Sequence, residues 1–512
     1  MKIALCIPLA AALLTIAAPA QDRFPLKDGD RVVFFGDSIT QQRLYTTFVE
    51  TFAVTRFPSR NVTFIHSGWG GDRVTGGAGG GIDERLTRDI LAYRPNVVTI
   101  MLGMNDGRVR PFDDQIFRIY SNGYKKIVKD LKAGQPGVRI TAIQPSPYDD
   151  VTRRPGFAGG YNGVLLRYSD FVRELGAAEA LTVADLNRPV TAMLERAKAT
   201  DPELAKKIIP DRVHPGPSGH LIMAAALLRD WNAPAVVSEV EIDAASRRLV
   251  KSENTAVSGT RFGNSLSWTQ TDRSLPVPVD LSDPVMELAV KSSDFQETLN
   301  RQIVKVTGLP AGKHTLRIDD EEAGTFTEAQ WAGGVNLAGL KTPIWAQAAE
   351  VHALTLKHNN VHFSRWRDLQ VPLQAEPPQS LATALAALDT LDADLVRQQR
   401  AAAQPKPHKF ELVPGDSQFR PIFNGNDLTG WHLSQQSHHG NTQGWKVEEG
   451  VLSGTQDKPR NGGIVLTDRR YRNFEISLEL KPDYSCDSGL FLRSTEKGEA
   501  YQVMLDYLDG GA

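Results

Sequence analysis

Residues 21–232 predict an α/β fold, a parallel sheet covered by helices on both faces, on three observations. Short apolar runs alternate with longer stretches of helical periodicity, the pattern of successive βαβ units. Glycine-rich polar clusters follow the apolar runs, where open α/β sheets carry their chemistry. The chain has 512 residues with 41% hydrophobic and 23% charged content, ordinary for globular protein and long enough for several domains.

The first strand covers residues 31–35 and ends on Gly36-Asp37-Ser38-Ile39. That tetrapeptide forces a sharp turn into a helix and leaves the Ser38 hydroxyl on a rigid edge. Alone, Ser38 reads equally well as the N-cap of a helix starting near Gln41. A second strand, 61–65, runs into His66-Ser67-Gly68-Trp69-Gly70-Gly71-Asp72. A third, 96–102, runs into Gly103-Met104-Asn105-Asp106. Strands at 138–144 and 181–185 complete the sheet. Helical periodicity marks 116–131 and 164–175, and a last helix, 218–231, follows Asp211-Arg212-Val213-His214-Pro215.

Five residues in these clusters point to one chemistry. A serine hydroxyl is a poor nucleophile and needs an adjacent base. His214 is the candidate base, and Asp211, three residues earlier, can curl back onto one imidazole nitrogen and leave the other for Ser38. Attack on an ester carbonyl creates an oxyanion that needs preorganised donors. The backbone N–H of Gly71 is unobstructed, and the side-chain amide of Asn105 can donate from the end of the third strand. Each residue also has a plain reading: a cap at Ser38, a turn at Gly71, an Asx-turn at Asn105, an exposed turn pair at Asp211 and His214. Together and in order they specify acyl transfer through an acyl-enzyme, with no metal or cofactor required. The glycines do not bind a dinucleotide, because Gly68-Trp69-Gly70-Gly71 lacks the G-x-G-x-x-G spacing and no Walker lysine stands in 76–81.

These blocks resemble the SGNH hydrolases, the Gly-Asp-Ser-Leu esterase superfamily. Ser38 matches block one, Gly71 block two, Asn105 block three, and Asp211 and His214 block five, over roughly residues 30–230. The resemblance implies a three-layer α/β/α sandwich with a flavodoxin-like strand order. It implies the Ser38, Asp211, His214 triad of an esterase, and an oxyanion hole of the Ser38 backbone N–H, Gly71 and Asn105.

The net charge of −2 and the lack of a basic block leave nothing to attract nucleic acid. Lys2, an apolar stretch over 3–18 and Ala18-Pro19-Ala20 read as a secretory signal, residues 1–20, cut before Gln21. A secreted or periplasmic protein without a membrane span in its mature form is expected. Cys6 lies too early for lipidation. Cys486 is then the sole cysteine and reads as a small buried hydrophobe.

Residues 233–378 read as a separate β-rich or α+β domain of unassigned role, with extended runs at 301–306 and 314–318 and a helix over 343–357. His352, His358 and His362 fit no zinc spacing and read as solvated or capping histidines. Residues 379–409 read as an amphipathic helix, 380–403, and a stiff linker, Gln404-Pro405-Lys406-Pro407. Residues 410–512 turn to short strands and aromatics, among them Trp445-Lys446-Val447, Gly450-Val451-Leu452, Phe474-Glu475-Ile476, Ser488–Arg493 and Tyr501-Gln502-Val503. They resemble the 3-keto-disaccharide hydrolase domain, a lectin-like β-sandwich. The chain stops after a strand, so a partial sandwich is expected, and no catalytic residue is assigned there. Trp431 and Trp445 read as core tryptophans rather than sugar platforms.

The functional expectation is a secreted esterase removing acyl groups, foremost acetyl, from carbohydrate. A lipid or lysophospholipid ester is the rival substrate. A glycan-binding or glycoside-cleaving multidomain protein is the rival class. The sequence leaves the oligomeric state open.

Overall fold

Five parallel strands carry the first part of the chain: β1 (Arg31–Gly36), β2 (Thr63–Gly68), β3 (Val97–Met101), β4 (Arg139–Ile143) and β5 (Thr182–Ala184). Their spatial order is β2-β1-β3-β4-β5, the flavodoxin-like order. Val33 sits opposite Ile65 on one side and Val98 on the other. This computed structural model describes residues 24–506 except 264, 415–420, 473, 475 and 484–486. The signal segment 1–20, Cys6, Cys486 and the last residues lie outside the described residues.

Every residue of β3 is buried, so it reads as a continuous apolar run instead of an alternation. Phe34 meets Tyr45 of α1 (Leu44–Arg56) edge-on, while the next residue, Phe35, lies under the guanidinium of Arg85 in α2 (Ile82–Asp89). Successive side chains point to opposite faces of a strand, so α1 and α2 cover opposite faces. α3 (Asp114–Gly134) buries Ile116, Tyr120, Tyr124, Ile127, Val128 and Leu131, one stripe at helical spacing, and Asp113 caps its start. Tyr120 stacks on Tyr168 of α4 (Gly160–Glu179), and α5 (Pro217–Asp230) packs on α1.

Beyond α5 the chain builds two further sheets. One runs β13-β10-β6-β7, from β6 (Val236–Asp243), β7 (Arg248–Glu253), β10 (Arg301–Thr307) and β13 (Val335–Asn336). The other runs β8-β9-β14-β11-β12, from β8 (Thr255–Phe262), β9 (Leu266–Asp272), β11 (Lys313–Ile318), β12 (Glu321–Thr327) and β14 (Pro407–Pro414). Two long helices, α6 (Pro343–Phe363) and α7 (Leu381–Ala402), pack on each other, and α6 packs on α1.

Two expectations about the chain's organisation are corrected here. The segment 404–409 is not a free linker: β14 is the central strand of its sheet, antiparallel to both β9 and β11, and it buries Phe410 and Leu412. Pro407 opens that strand, a position where a missing N–H is tolerated. Residues 233–378 are not a separate domain. Val54 of α1 sits in the core under the two later sheets, and Val277, Val279, Leu288 and Phe295 complete the core of the parallel sheet. The described residues before 415 accordingly form one compact unit.

The three histidines are not solvated either. His358 is buried with Nε2 at 2.5 Å from Glu50 Oε1 of α1 and Nδ1 at 3.2 Å from Asp392 Oδ1 of α7. His352 Nδ1 meets Thr51 Oγ1 at 2.9 Å, and His362 stacks on Trp366. The Glu50 carboxylate also meets His66 Nε2 at 3.1 Å and accepts from Gln399 Nε2 at 3.0 Å. One buried charge thus ties α1, β2, α6 and α7 together. Burial alone would lower the His358 pKa, but the Glu50 charge and the hydrogen bonds to Asp392 and Glu50 raise it to about 10.

Residues from Asp416 form a second unit. Its described residues contain three two-stranded antiparallel ladders: Trp431–Leu433 with Val465–Thr467, Gly444–Glu448 with Val451–Thr455, and Asp487–Leu492 with Tyr501–Asp506. Phe474 and Ile476 belong to no strand, and Glu475 lies outside the described residues. Trp431 and Trp445 are half-buried, not core residues. No helix among the described residues is long and apolar enough to cross a membrane.

Candidate active site

The site forms at the carboxyl ends of β1, β2 and β3, around the point where the strand order reverses between β1 and β3. β1 runs straight into a four-residue helical turn, Ser38–Gln41. Asp37, not Ser38, caps that turn: its side chain accepts from the Ile39 N–H at 3.0 Å. The Ser38 hydroxyl is therefore free of capping duty. The turn fits against β2 because residue 68 is glycine; a Cβ there would lie 2.2 Å from the Gln41 nitrogen.

Ser38 Oγ lies 2.8 Å from His214 Nε2, and His214 Nδ1 lies 2.7 Å from Asp211 Oδ2. The carboxylate fixes the tautomer: Nδ1–H donates to Asp211, and Nε2 accepts from the serine hydroxyl. Asp211 Oδ1 meanwhile accepts the backbone N–H groups of Val213 at 2.9 Å and His214 at 2.7 Å. Partial burial raises the Asp211 pKa, but those hydrogen bonds and the His214 side chain outweigh it and hold the carboxyl below its usual range. Arg153 braces this loop by donating to the carbonyls of Ile209, Lys206 and Pro210.

Trp69–Asp72 is a tight turn closed by the Asp72 N–H on the Trp69 carbonyl at 3.1 Å. Gly71 is its third residue with φ +78°, a left-handed position that favours glycine. The turn and donor readings of Gly71 are thus compatible. Its N–H donates to no acceptor among the described residues, whereas the Gly70 N–H is taken by Gln41 Oε1 at 2.5 Å. Asn105 is anchored from two sides: its side-chain amide donates to the Asp72 carbonyl at 3.1 Å, and its backbone carbonyl accepts from Arg73 Nε at 3.2 Å. One amide hydrogen of Asn105 remains for another acceptor.

The sequence reading missed the charges behind this site. Asp37 and Asp106 are both buried, and burial raises each carboxyl from 3.8 to about 7. Burial also raises Asp72, whose Oδ2 accepts from Arg85 Nε at 2.8 Å. Arg85 is fully buried, paired with Asp72 and Asp89 and donating to the Ser67 carbonyl at 2.8 Å. In sequence, Arg85 and Asp89 look like a surface pair at i, i+4; in the fold the Arg85 guanidinium lies against Phe35, Trp69 and Trp366, and Trp366, contributed from far along the chain, donates to Asp89. His220 also went unnoticed. Its Nδ1 accepts the Tyr45 N–H at 3.2 Å and its Nε2 faces Gln42 Oε1 at 2.9 Å, and burial lowers its pKa to about 3. It supports the Ser38 turn as a neutral ring.

Residues 34–222 match the GDSL-like Lipase/Acylhydrolase family. The chain carries a GDSL-like acylhydrolase domain. It is accordingly a carboxylic ester hydrolase. Residues 418–510 match the 3-keto-alpha-glucoside-1,2-lyase-like domain. Among solved structures, a gut microbial diltiazem-metabolizing enzyme is 26% identical with a TM-score of 0.67, covering 76% of this chain and 98% of that one. The acetylxylan esterase of Geobacillus stearothermophilus is 22% identical over 225 residues, 40% of this chain and 94% of that protein. Its crystal structure covers 40% of this chain and 95% of its own, with a TM-score of 0.33.

Among the described residues, no group of three or more His, Cys, Asp or Glu is arranged to hold a metal ion.

Proposed function

We propose that the acylhydrolase domain is a secreted serine esterase that removes acetyl groups from carbohydrate. Ser38 is its nucleophile, His214 its general base and Asp211 the group that orients and charge-stabilises the imidazole. The observation that carries this reading is the relay of 2.8 Å from Ser38 Oγ to His214 Nε2 and 2.7 Å from His214 Nδ1 to Asp211. As Ser38 Oγ attacks the ester carbonyl, its proton passes to Nε2 and the imidazolium is held by Asp211. The oxyanion meets the Ser38 and Gly71 N–H groups and the Asn105 amide. The imidazolium then protonates the departing alcohol, and water repeats the sequence on the acyl-enzyme to release the acid.

The carbohydrate part rests on two similarities: the acetylxylan esterase relative and the 3-keto-glucoside lyase-like match in the same chain. The secreted location rests on the signal-like segment 1–20. A second reading, with a non-sugar alcohol, is favoured by the likeness to the diltiazem-metabolizing enzyme over 76% of the chain.

Acetate release from acetylated xylan, and hydrolysis of p-nitrophenyl esters of increasing chain length, test both readings with wild type beside Ser38→Ala. Release from acetylated xylan and p-nitrophenyl acetate, lost in the variant, supports a carbohydrate esterase. Hydrolysis of p-nitrophenyl acetate without xylan deacetylation supports the non-sugar alcohol. Activity confined to long acyl chains would move the substrate to lipids, and no Ser38-dependent hydrolysis would refute the triad.

A further inference from the structure

The region after the parallel sheet has no assigned role, yet it reaches the loop that carries Gly71. The chain leaves α6 into a π-helical turn, Ser364–Gln370. Its Trp366 is buried and meets Trp69 edge-on, with ring centroids 5.6 Å apart. The indole N–H of Trp366 donates to Asp89 Oδ1 at 2.6 Å. The next residue, Arg367, lays its guanidinium over the Trp69 ring, 3.0 Å from the centroid. On another side the backbone at Gly79 closes in, where a Cβ would lie 2.4 Å from the indole. Trp69 is thus gripped from several directions and only 4% exposed.

Trp69 opens the turn whose third residue is Gly71. The same cluster reaches the second donor. Arg85, 5.2 Å from the Trp69 ring, holds the Asp72 side chain, and the Asp72 carbonyl takes the Asn105 amide. Gly71 and Asn105 therefore share one support, and part of it comes from residues 366 and 367.

We propose that Trp366 and Arg367 are positioning residues for the oxyanion donors, so that the region after the parallel sheet is a working part of the esterase. The inference rests on the oxyanion roles proposed above for Gly71 and Asn105. A cation over an indole face is an attractive contact, and donor placement within about 0.5 Å decides how well an oxyanion is met. Loosening the clamp therefore lowers the rate of the chemical step and leaves substrate binding alone. A contact that merely glued two segments together would change melting and not kcat.

The test is p-nitrophenyl acetate hydrolysis by full-length Arg367→Ala, Arg367→Lys, Trp366→Phe and Asn105→Ala, each with its melting curve. Arg367→Ala is expected to lose about tenfold or more in kcat with KM within twofold, and Arg367→Lys to recover most of the loss. Trp366→Phe keeps the ring but loses the bond to Asp89. It is expected to show the same kcat-selective loss, and it carries the test if the alanine variant does not fold. The inference is overturned if Asn105→Ala falls in kcat while folded Arg367→Ala and Trp366→Phe do not, or if their only change is in KM or melting. If Asn105→Ala also keeps full kcat, the oxyanion reading fails and the inference falls with it.

Discussion

Replacing Asp211 by asparagine probes the relay with little disturbance of shape. Asparagine keeps an oxygen to accept the Val213 and His214 N–H groups, at 2.9 and 2.7 Å from Asp211 Oδ1, so the loop should hold. The other end changes sign: an amide can donate to His214 Nδ1, which drives the ring proton to Nε2, where it faces Ser38 instead of accepting from it. The carboxylate charge proposed to stabilise the imidazolium is also lost. At the 2.7 Å separation, two opposite charges attract by about 1.5 kcal/mol in bulk water and about 6 kcal/mol at an effective dielectric of 20. The Asp211 side chain is 56% exposed, so screening places the loss toward the lower figure, roughly 3 kcal/mol. That corresponds to a fall in kcat of about a hundredfold to a thousandfold, below the ~10⁴ of a fully buried triad aspartate. Steady-state hydrolysis of p-nitrophenyl acetate reads it. A folded variant retaining a third of wild-type kcat would refute the role given to Asp211.

Three further outcomes are expected. Asn105→Ala lowers kcat by about a hundredfold or more with KM little changed; a pure KM effect would make Asn105 a substrate ligand instead. Because burial raises Asp37 and Asp106 from 3.8 to about 7, the folded protein keeps protons that the unfolded chain releases, so stability falls as pH rises from about 4 to 7. Asp106→Asn retains an acceptor for the Val74 N–H, 3.0 Å from Asp106 Oδ1, and removes one of these titrations. Its melting temperature should gain on wild type between pH 4 and 8, and parallel curves would count against the assignment. His358→Ala strips the buried Glu50 charge of a partner and should destabilise the first unit by about 3–5 kcal/mol in denaturant unfolding, with less than 1 kcal/mol marking the network as dispensable.

The parallel sheet was legible because buried strands are continuous apolar runs bounded by glycine. The run at 31–35 became β1 (Arg31–Gly36), and the run at 96–102 became β3 (Val97–Met101). The clusters around Ser38, Gly71, Asn105 and His214 stood out because each follows a strand or precedes a helix, and a sheet gathers such ends at one edge. What could not be read depends on long-range partners. Pro405 and Pro407 looked like linker chemistry, yet Pro407 starts a central strand whose neighbours, β9 and β11, come far earlier in the chain. His358 looked solvated because its charge partner, Glu50, lies over three hundred residues away. Arg85 and Asp89 mimic a surface pair until the rings of Phe35, Trp69 and the distant Trp366 close around them. Composition and spacing report what a segment could do alone, and these groups act only once another segment arrives.

The nucleophile itself is the most direct test. Full-length protein treated with a fluorophosphonate, then digested and mapped by mass spectrometry, should carry a single adduct on Ser38, with labelling lost in His214→Ala at unchanged fold. Active protein that stays unlabelled, or an adduct on a different serine with ester hydrolysis intact in Ser38→Ala, would contradict the triad.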